Sequence, residues 1–224
     1  MRVLIFPSLL AADFGNLEAA ARKAEASGAD ALHLDIMDGH FVPNLSMGPD
    51  VVKMARRCIG IPRSVHLMLT NPDRYLKTFI EAGATSLLIH IEASCDVGRA
   101  LEEIRSLGAR PGITLNPETP AARVFPVLDR TDEVLCMTVR PGYGGQSFMR
   151  EVLPKIREIR DFTRSHGRRE VDILVDGGID AATAAECAAH GANAFVAGTS
   201  LYGAKDMKAE IERLRRSAAL SLLL

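Results

Sequence analysis

Residues 32–44, with the sequence LHLDIMDGHFVPN, place a histidine and an aspartate inside a short apolar run. His33, Asp35 and Met37 alternate with leucine and isoleucine, so in a β-strand these three side chains share one face. Burial of a histidine and an aspartate is unfavourable unless they are paired or bind a cation. The pattern therefore fits either a buried structural His–Asp pair or part of a metal site.

Two later segments carry the same kind of residue. In SVHLML, His66 and Met68 share a strand face, although a single strand histidine can also be an ordinary core residue. Asp176 stands at the end of the apolar run in VDILVDGGID, where an aspartate can also begin a turn. Asp180 directly precedes a helical run and is the better candidate for a helix cap, which leaves Asp176 free to face a site.

His33, Asp35, His66 and Asp176 together form a set of two nitrogen and two oxygen donors. Such a mixed set suits one divalent ion such as Zn²⁺, Fe²⁺, Mn²⁺ or Co²⁺ better than Ca²⁺ or Mg²⁺. The four residues do not form a local metal motif. The prediction therefore requires a fold that brings three separate segments together.

Glycine-rich turns follow three late apolar runs of the chain. They are RPGYGGQ at 140–146, Gly177-Gly178, and Gly198-Thr199-Ser200. Small residues let backbone N–H groups approach an anion, so the three turns predict a phosphate site, although each could be only a tight turn.

Eight short apolar runs separate longer amphipathic stretches, as in a chain of alternating strands and helices. The runs cover 3–6, 31–36, 64–69, 86–90, 112–115, 134–139, 171–175 and 194–197. This alternation favours an α/β fold with one (β/α)₈ TIM barrel over residues 1–224, each strand being followed by a helix. A doubly wound sheet is the alternative, but no GxGxxG follows the first run. In the barrel, the residues of interest would lie at the carboxyl ends of the strands.

Several helix ends are also marked in the sequence. We expect Asn16 to cap a helix over 17–27 and Asp180 to precede one over 181–190. Two further helices are expected after Asn71-Pro72 and over 95–107.

The composition excludes several classes of partner. The chain has 224 residues, 27 of them basic and 28 acidic, with no basic stripe that would bind nucleic acid or an anionic membrane. The apolar tail 217–224 is too short to span a bilayer, and the N-terminus lacks a secretory signal pattern. The four widely spaced cysteines form no CxxC pair, so we expect free thiols in the cytoplasm.

Six stretches in collinear order resemble the ribulose-phosphate 3-epimerases of the pentose phosphate pathway. They are PSLLAADFGNL (7–17), LHLDIMDGHFVPN (32–44), VHLML (65–69), MTVRPGYGGQSF (137–148), VDGGI (175–179) and AGTSLYGAKD (197–206). The resemblance implies a homo-oligomeric isomerase that interconverts D-ribulose 5-phosphate and D-xylulose 5-phosphate. It also implies that His33, Asp35, His66 and Asp176 hold the metal ion and that Asp35 and Asp176 are the acid and base.

The resemblance implies further roles for residues that contact a sugar phosphate. The substrate would contact Ser8, His66 and the loop Gly142, Tyr143, Gly144 and Gly145. The phosphate would be held by Gly177, Gly178, Gly198 and Thr199. The pocket wall would be formed by Met37, Met68 and Met137. Two departures from the family pattern bear on the substrate. Arg140 replaces the usual residue before the glycine loop, and Thr199-Ser200 replaces Ser-Ala, so allulose 6-phosphate remains an alternative substrate.

Epimerisation beside a ketone explains why two carboxyl groups are needed. Removal of the C3 proton gives a planar enediolate, and reprotonation from the other face inverts the carbon. One base cannot easily reach both faces, and a divalent ion would stabilise the enediolate charge. The alternatives are an aldolase or tryptophan-pathway barrel and a non-catalytic sugar-phosphate binding barrel. A Schiff-base aldolase needs an inward lysine, which the predicted strands lack.

Overall fold

The protein is a parallel eight-stranded barrel, seen in a computed structural model that describes residues 1–167 and 170–222. The strands are β1 Leu4–Pro7, β2 Leu32–Met37, β3 Arg63–Met68, β4 Ser86–His90, β5 Arg110–Leu115, β6 Glu133–Met137, β7 Asp172–Asp176 and β8 Ala194–Ala197. Each strand from β2 to β8 pairs with its neighbour in sequence, and β1 pairs with β8. A parallel bridge between Ser8 and His33 joins β1 to β2, so the sheet closes on itself. The predicted (β/α)₈ fold is confirmed.

Helices surround the strands. They are α1 Leu17–Ala26, α2 Pro49–Cys58, α3 Leu76–Ala82, α4 Val97–Ser106, α5 Leu153–Ser165, α6 Ala181–Ala189, α7 Thr199–Tyr202 and α8 Met207–Leu222. Residues 223–224, where the predicted apolar tail ends, lie outside the described part. No helix within that part has the length and apolar character to cross a membrane.

The expectation that every strand leads into an α-helix is wrong after β5. Only two 3₁₀ turns, Ala121–Arg123 and Phe125–Arg130, connect β5 to β6 in the described structure. Pro120 and Pro126 explain the difference, because proline supplies no N–H and clashes with the preceding turn of an α-helix.

The two predicted helix caps have opposite outcomes. Asp180 accepts hydrogen bonds from the backbone of Ala182 and Thr183 and forms a full capping box at α6. Asn16 does precede α1, but its side chain makes no capping hydrogen bond. Instead, its amide donates to Asp13, which holds the 3₁₀ turn before the helix.

Strand register brings the candidate site residues together. The Cα partner of Asp35 on β3 is His66, and the partner of Met37 is Met68. Across the barrel, Met137 on β6 is the partner of Asp176 on β7. Leucines 32 and 34 pack outward in the main core, where helices cover the sheet. The inward face at the carboxyl ends of the strands is therefore left to polar residues and methionines.

Candidate active site

A cleft opens at the carboxyl ends of the strands. It is lined by most of the residues predicted from sequence: Ser8, Asp35, Met37, Met68, Met137, Gly142, Tyr143, Gly144, Gly145, Asp176, Gly177, Gly178, Gly198 and Thr199. His33 and His66 do not line it. Both are fully buried below its floor, behind Asp35. The barrel thus gathers six separate chain segments at the place where enzymes of this fold carry their active sites.

Asp35 is the centre of a tight polar cluster on the cleft floor. Its Oδ1 atom lies 3.1 Å from His66 Nδ1 and 3.4 Å from His33 Nε2. Its Oδ2 atom accepts a hydrogen bond of 2.6 Å from the hydroxyl of Ser8. With Asp176, one donor atom from each of the four residues lies within 4.8 Å of the others.

The cluster fits a divalent metal ion. His33 Nδ1 contacts Ser64 Oγ at 3.2 Å, which turns Nε2 towards Asp35. That Nε2 atom is buried and has no hydrogen-bond partner among the described residues. Buried polar atoms normally have partners, so this nitrogen faces a position that a cation would complete. Two imidazoles and two carboxylates match the preferences of Zn²⁺ and of first-row transition metals.

The pKa values of the two carboxyl groups are shifted in opposite directions. Burial favours the neutral acid at Asp35, but the adjacent His33 and His66 outweigh it and hold the pKa of Asp35 below its usual range. Burial, reinforced by the negative charge of Asp35, raises the pKa of Asp176 to about 7. One group therefore favours the ionised form, while the other readily holds a proton near neutral pH.

The histidines differ as well. Burial lowers the pKa of His66 to about 4. Burial also acts to lower the pKa of His33, but the charge of Asp35 outweighs it and the net shift is upward.

The rest of the cleft has an apolar wall and a glycine-rich end. Met37 and Met68 pack together with Val42, and Met137 lies in the adjoining inward cluster. Gly177 and Gly178 have positive φ values of 119° and 64°. No lysine or arginine lines the cleft within the described residues, so an anion there would meet backbone N–H groups. The absence of a lysine also leaves the Schiff-base aldolase alternative without its nucleophile.

The glycine loop after β6 is fastened across the cleft. Tyr143 donates its hydroxyl to the carbonyl of Pro43 at 2.6 Å, and Asn44 donates to the carbonyl of Gly142 at 2.7 Å. Arg140 does not line the cleft. Its side chain forms an exposed ion pair of 2.7 Å with Glu118 instead.

Sequence reasoning did not identify His90 and Glu92, which extend the polar cluster. His90 Nε2 lies 2.8 Å from His66 Nε2, and His90 Nδ1 lies 3.2 Å from Glu92 Oε2. The signal was present, since His90 ends β4 and has the inward phase of Ser86 and Leu88.

The barrel and the position of its cleft define the class as an α/β-barrel enzyme. Among solved structures, KGPDC from Streptococcus mutans matches with a TM-score of 0.74 and 12% identity, covering 98% of this chain and 99% of that one. At this identity, the match shows the fold alone.

The sequence relationship is closer and extends over nearly the whole chain. The model of the ribulose-phosphate 3 epimerase family matches residues 4–202, and the chain belongs to this family. Ribulose-phosphate 3-epimerase of Bacillus subtilis is 43% identical over 215 residues, which cover 96% of this chain and 99% of the relative. The enzyme of the same name from Escherichia coli K12 is 42% identical over 217 residues, with 96% of each chain covered. The chain is therefore an epimerase of the isomerase class.

Proposed function

We propose that the protein interconverts D-ribulose 5-phosphate and D-xylulose 5-phosphate by moving the C3 proton between the faces of an enediolate. The observation that carries this proposal is the convergence of Asp35 and Asp176 on one cleft floor, where their donor atoms and those of His33 and His66 lie within 4.8 Å of one another. The expected substrate is inferred from the family relatives, which bear the name ribulose-phosphate 3-epimerase.

The two carboxyl groups act as base and acid in turn. The ionised carboxylate of Asp35 removes the C3 proton from one face, and the protonated Asp176 donates a proton to C3 from the other. The reverse reaction exchanges these roles. Ser8 donates to Asp35 Oδ2 at 2.6 Å and so orients the carboxylate without occupying its other oxygen. A base and an acid with separated proton affinities are the arrangement that such a transfer needs.

His33, Asp35, His66 and Asp176 would hold the metal ion. When bound, a divalent ion supplies Lewis-acid stabilisation of the negative charge on the enediolate oxygens. The imidazole nitrogens favour Zn²⁺, Fe²⁺, Mn²⁺ or Co²⁺.

The remaining lining residues position the substrate and exclude water. The backbone of Gly177, Gly178, Gly198 and Thr199 would receive the phosphate at the glycine-rich end. The Met37, Met68 and Met137 side chains form a soft apolar wall that limits proton exchange with water. Gly142–Gly145, with Tyr143, would cover the bound sugar.

Ribulose 5-phosphate, and not allulose 6-phosphate, is the expected substrate, and the position of Arg140 does not oppose this preference. Its guanidinium pairs with Glu118 outside the cleft, so the unusual charge does not alter the surface that meets the sugar. Initial rates with both sugar phosphates, on protein of measured metal content, test this preference. The homo-oligomeric state implied by the resemblance and the cytoplasmic location expected from the cysteines stay predictions.

The two-carboxyl mechanism is tested with Asp35→Asn and Asp176→Asn, which keep an oxygen donor but remove proton transfer. We expect epimerisation to fall by about 10²–10⁴-fold in each, the usual contribution of a general acid or base. In D₂O, each variant should still exchange the C3 proton of one epimer, and the two variants should differ in which one. The exposed Asp50→Asn is the matched control.

A near-normal rate in either variant would rule out the two-carboxyl scheme. A wild-type protein that binds the sugar phosphates without C3 exchange would instead be a binding barrel. Metal dependence is tested separately by chelation, with metal content verified, and by reconstitution with each of the four ions. Full activity after complete removal would exclude a catalytic metal.

A further inference from the structure

A series of hydrogen-bonding groups leads away from the candidate metal cluster towards the loops that follow β4 and β5. It begins at Asp35 Oδ1, passes through both nitrogens of His66 and both nitrogens of His90, and ends at Glu92. The three contacts measure 3.1, 2.8 and 3.2 Å in that order. Both imidazoles are fully buried, and the side chain of Glu92 is 23% exposed.

A count of protons constrains this series. Each of the three contacts joins two atoms with lone pairs, so each needs one proton or another cation between them. Two neutral imidazoles supply only two N–H groups. With Asp35 and Glu92 both ionised, one contact must therefore be bridged by something other than an imidazole proton.

The far end of the series sets the direction of the hydrogen bonds. Glu92 Oε1 accepts from the backbone N–H of Asn116 at 2.9 Å and from the hydroxyl of Thr119. The N–H of Asn116 can only donate, so this oxygen is fixed as an acceptor. Because an ionised carboxylate has no proton to donate, Glu92 Oε2 is also an acceptor, and His90 Nδ1–H donates to it. That leaves a lone pair on His90 Nε2, which accepts the N–H of His66 Nε2.

We infer that His90 and Glu92 are positioning residues that fix the tautomer of His66, so that its Nδ1 lone pair faces the metal site. This inference rests on the proposed metal-dependent function. The contact without an imidazole proton is then the one between His66 Nδ1 and Asp35, where the metal ion would supply the missing positive charge. Phe41, whose ring centre lies 4.6 Å from that of His90, holds the second imidazole in its plane.

Glu92→Gln tests this inference with almost no change in shape. The amide oxygen must face the N–H of Asn116, so the amide NH₂ faces His90 Nδ1. His90 then carries its proton on Nε2 and donates to His66, which moves the His66 proton to Nδ1, the atom aimed at the metal. We expect Co²⁺ affinity to fall by about 10–100-fold, as is typical when a partner of a metal ligand is lost.

Thr119→Val is the matched control, because it removes one donor to Glu92 without reversing the direction of the hydrogen bonds through His90 and His66. Metal-free proteins are titrated with Co²⁺ against a competing chelator, and the visible spectrum of bound Co²⁺ reports the ligand set. Thermal unfolding checks that each variant is folded. The inference is supported if Thr119→Val binds Co²⁺ with an affinity close to wild type and Glu92→Gln shows the expected loss. Equal affinities of wild type and Glu92→Gln overturn it, and so does an equal loss in both variants.

Nitrogen-15 spectra of the Zn²⁺-loaded wild type give a second test that needs no variant. We expect His66 to be protonated at Nε2 and His90 at Nδ1, and either opposite tautomer overturns the inference. Neither readout uses substrate. Failure to turn over ribulose 5-phosphate would therefore count against the proposed function alone.

Discussion

Gly177 joins the catalytic strand β7 to the proposed phosphate turn, and its replacement by alanine should damage both stability and activity. A Cβ atom there would lie 2.4 Å from Val139 Cγ2 and 2.8 Å from the Val139 backbone nitrogen. The backbone has φ +119°, outside the range that residues with a side chain readily adopt. The change therefore combines backbone strain with a steric clash.

The expected cost of Gly177→Ala follows from these two contributions. Strained φ values cost about 1–3 kcal/mol, and overpacking of a tight core costs a further 1–3 kcal/mol or so. We expect the free energy of unfolding to fall by about 2–6 kcal/mol. Relief of the clash must also move the backbone beside Asp176, whose carbonyl accepts from Thr138 N–H at 2.8 Å. A shift of about 1 Å at a reacting group lowers rates by about 10²-fold.

Gly28→Ala provides the matched control. Gly28 also has a positive φ of 86°, but nothing lies within 4 Å of the position that a methyl group would occupy, and it follows α1 far from the cleft. We expect a loss of only about 1–2 kcal/mol and unchanged kcat. Urea unfolding and steady-state kinetics on both variants measure the two effects. Equal losses of stability, or full activity of Gly177→Ala, would refute the steric reasoning.

Two further predictions concern the cleft. Ser8→Ala removes the donor to Asp35 Oδ2. It should lower kcat/KM by about tenfold or more, because hydrogen bonds to charged groups contribute about 1.5–3 kcal/mol. Steady-state rates equal to wild type would show that this contact does not orient the carboxylate. Arg140→Ala should leave the ratio of rates for ribulose 5-phosphate and allulose 6-phosphate unchanged, because the side chain is exposed and pairs with Glu118 away from the cleft. A changed ratio would mean that Arg140 reaches the sugar during turnover.

The polar cluster around Asp35 could be predicted because only two geometric rules determine its position. A strand has a side-chain period of two, and a parallel barrel brings the carboxyl ends of its strands to one face. These two rules suffice to place His33, Asp35, His66 and Asp176 together. The connection after β5 followed a local rule instead, because its prolines prevent the α-helix that the repeating pattern led us to expect.

His90 shows what periodicity cannot supply. In the sequence it only ends a buried strand, and such a histidine is often an ordinary core residue. The register makes His66 the Cα partner of Leu88, so His90 lies one inward position further along β4. Whether its ring contacts His66 then depends on side-chain rotation, which the contacts with Phe41 and Glu92 restrict. The direction of the hydrogen bonds depends in turn on the backbone N–H of Asn116, 24 residues from Glu92 along the chain. A residue that acts through a metal ligand is therefore recognisable only when its hydrogen-bond partners on both sides are known. The ligands themselves can be predicted from which residues face inward on each strand.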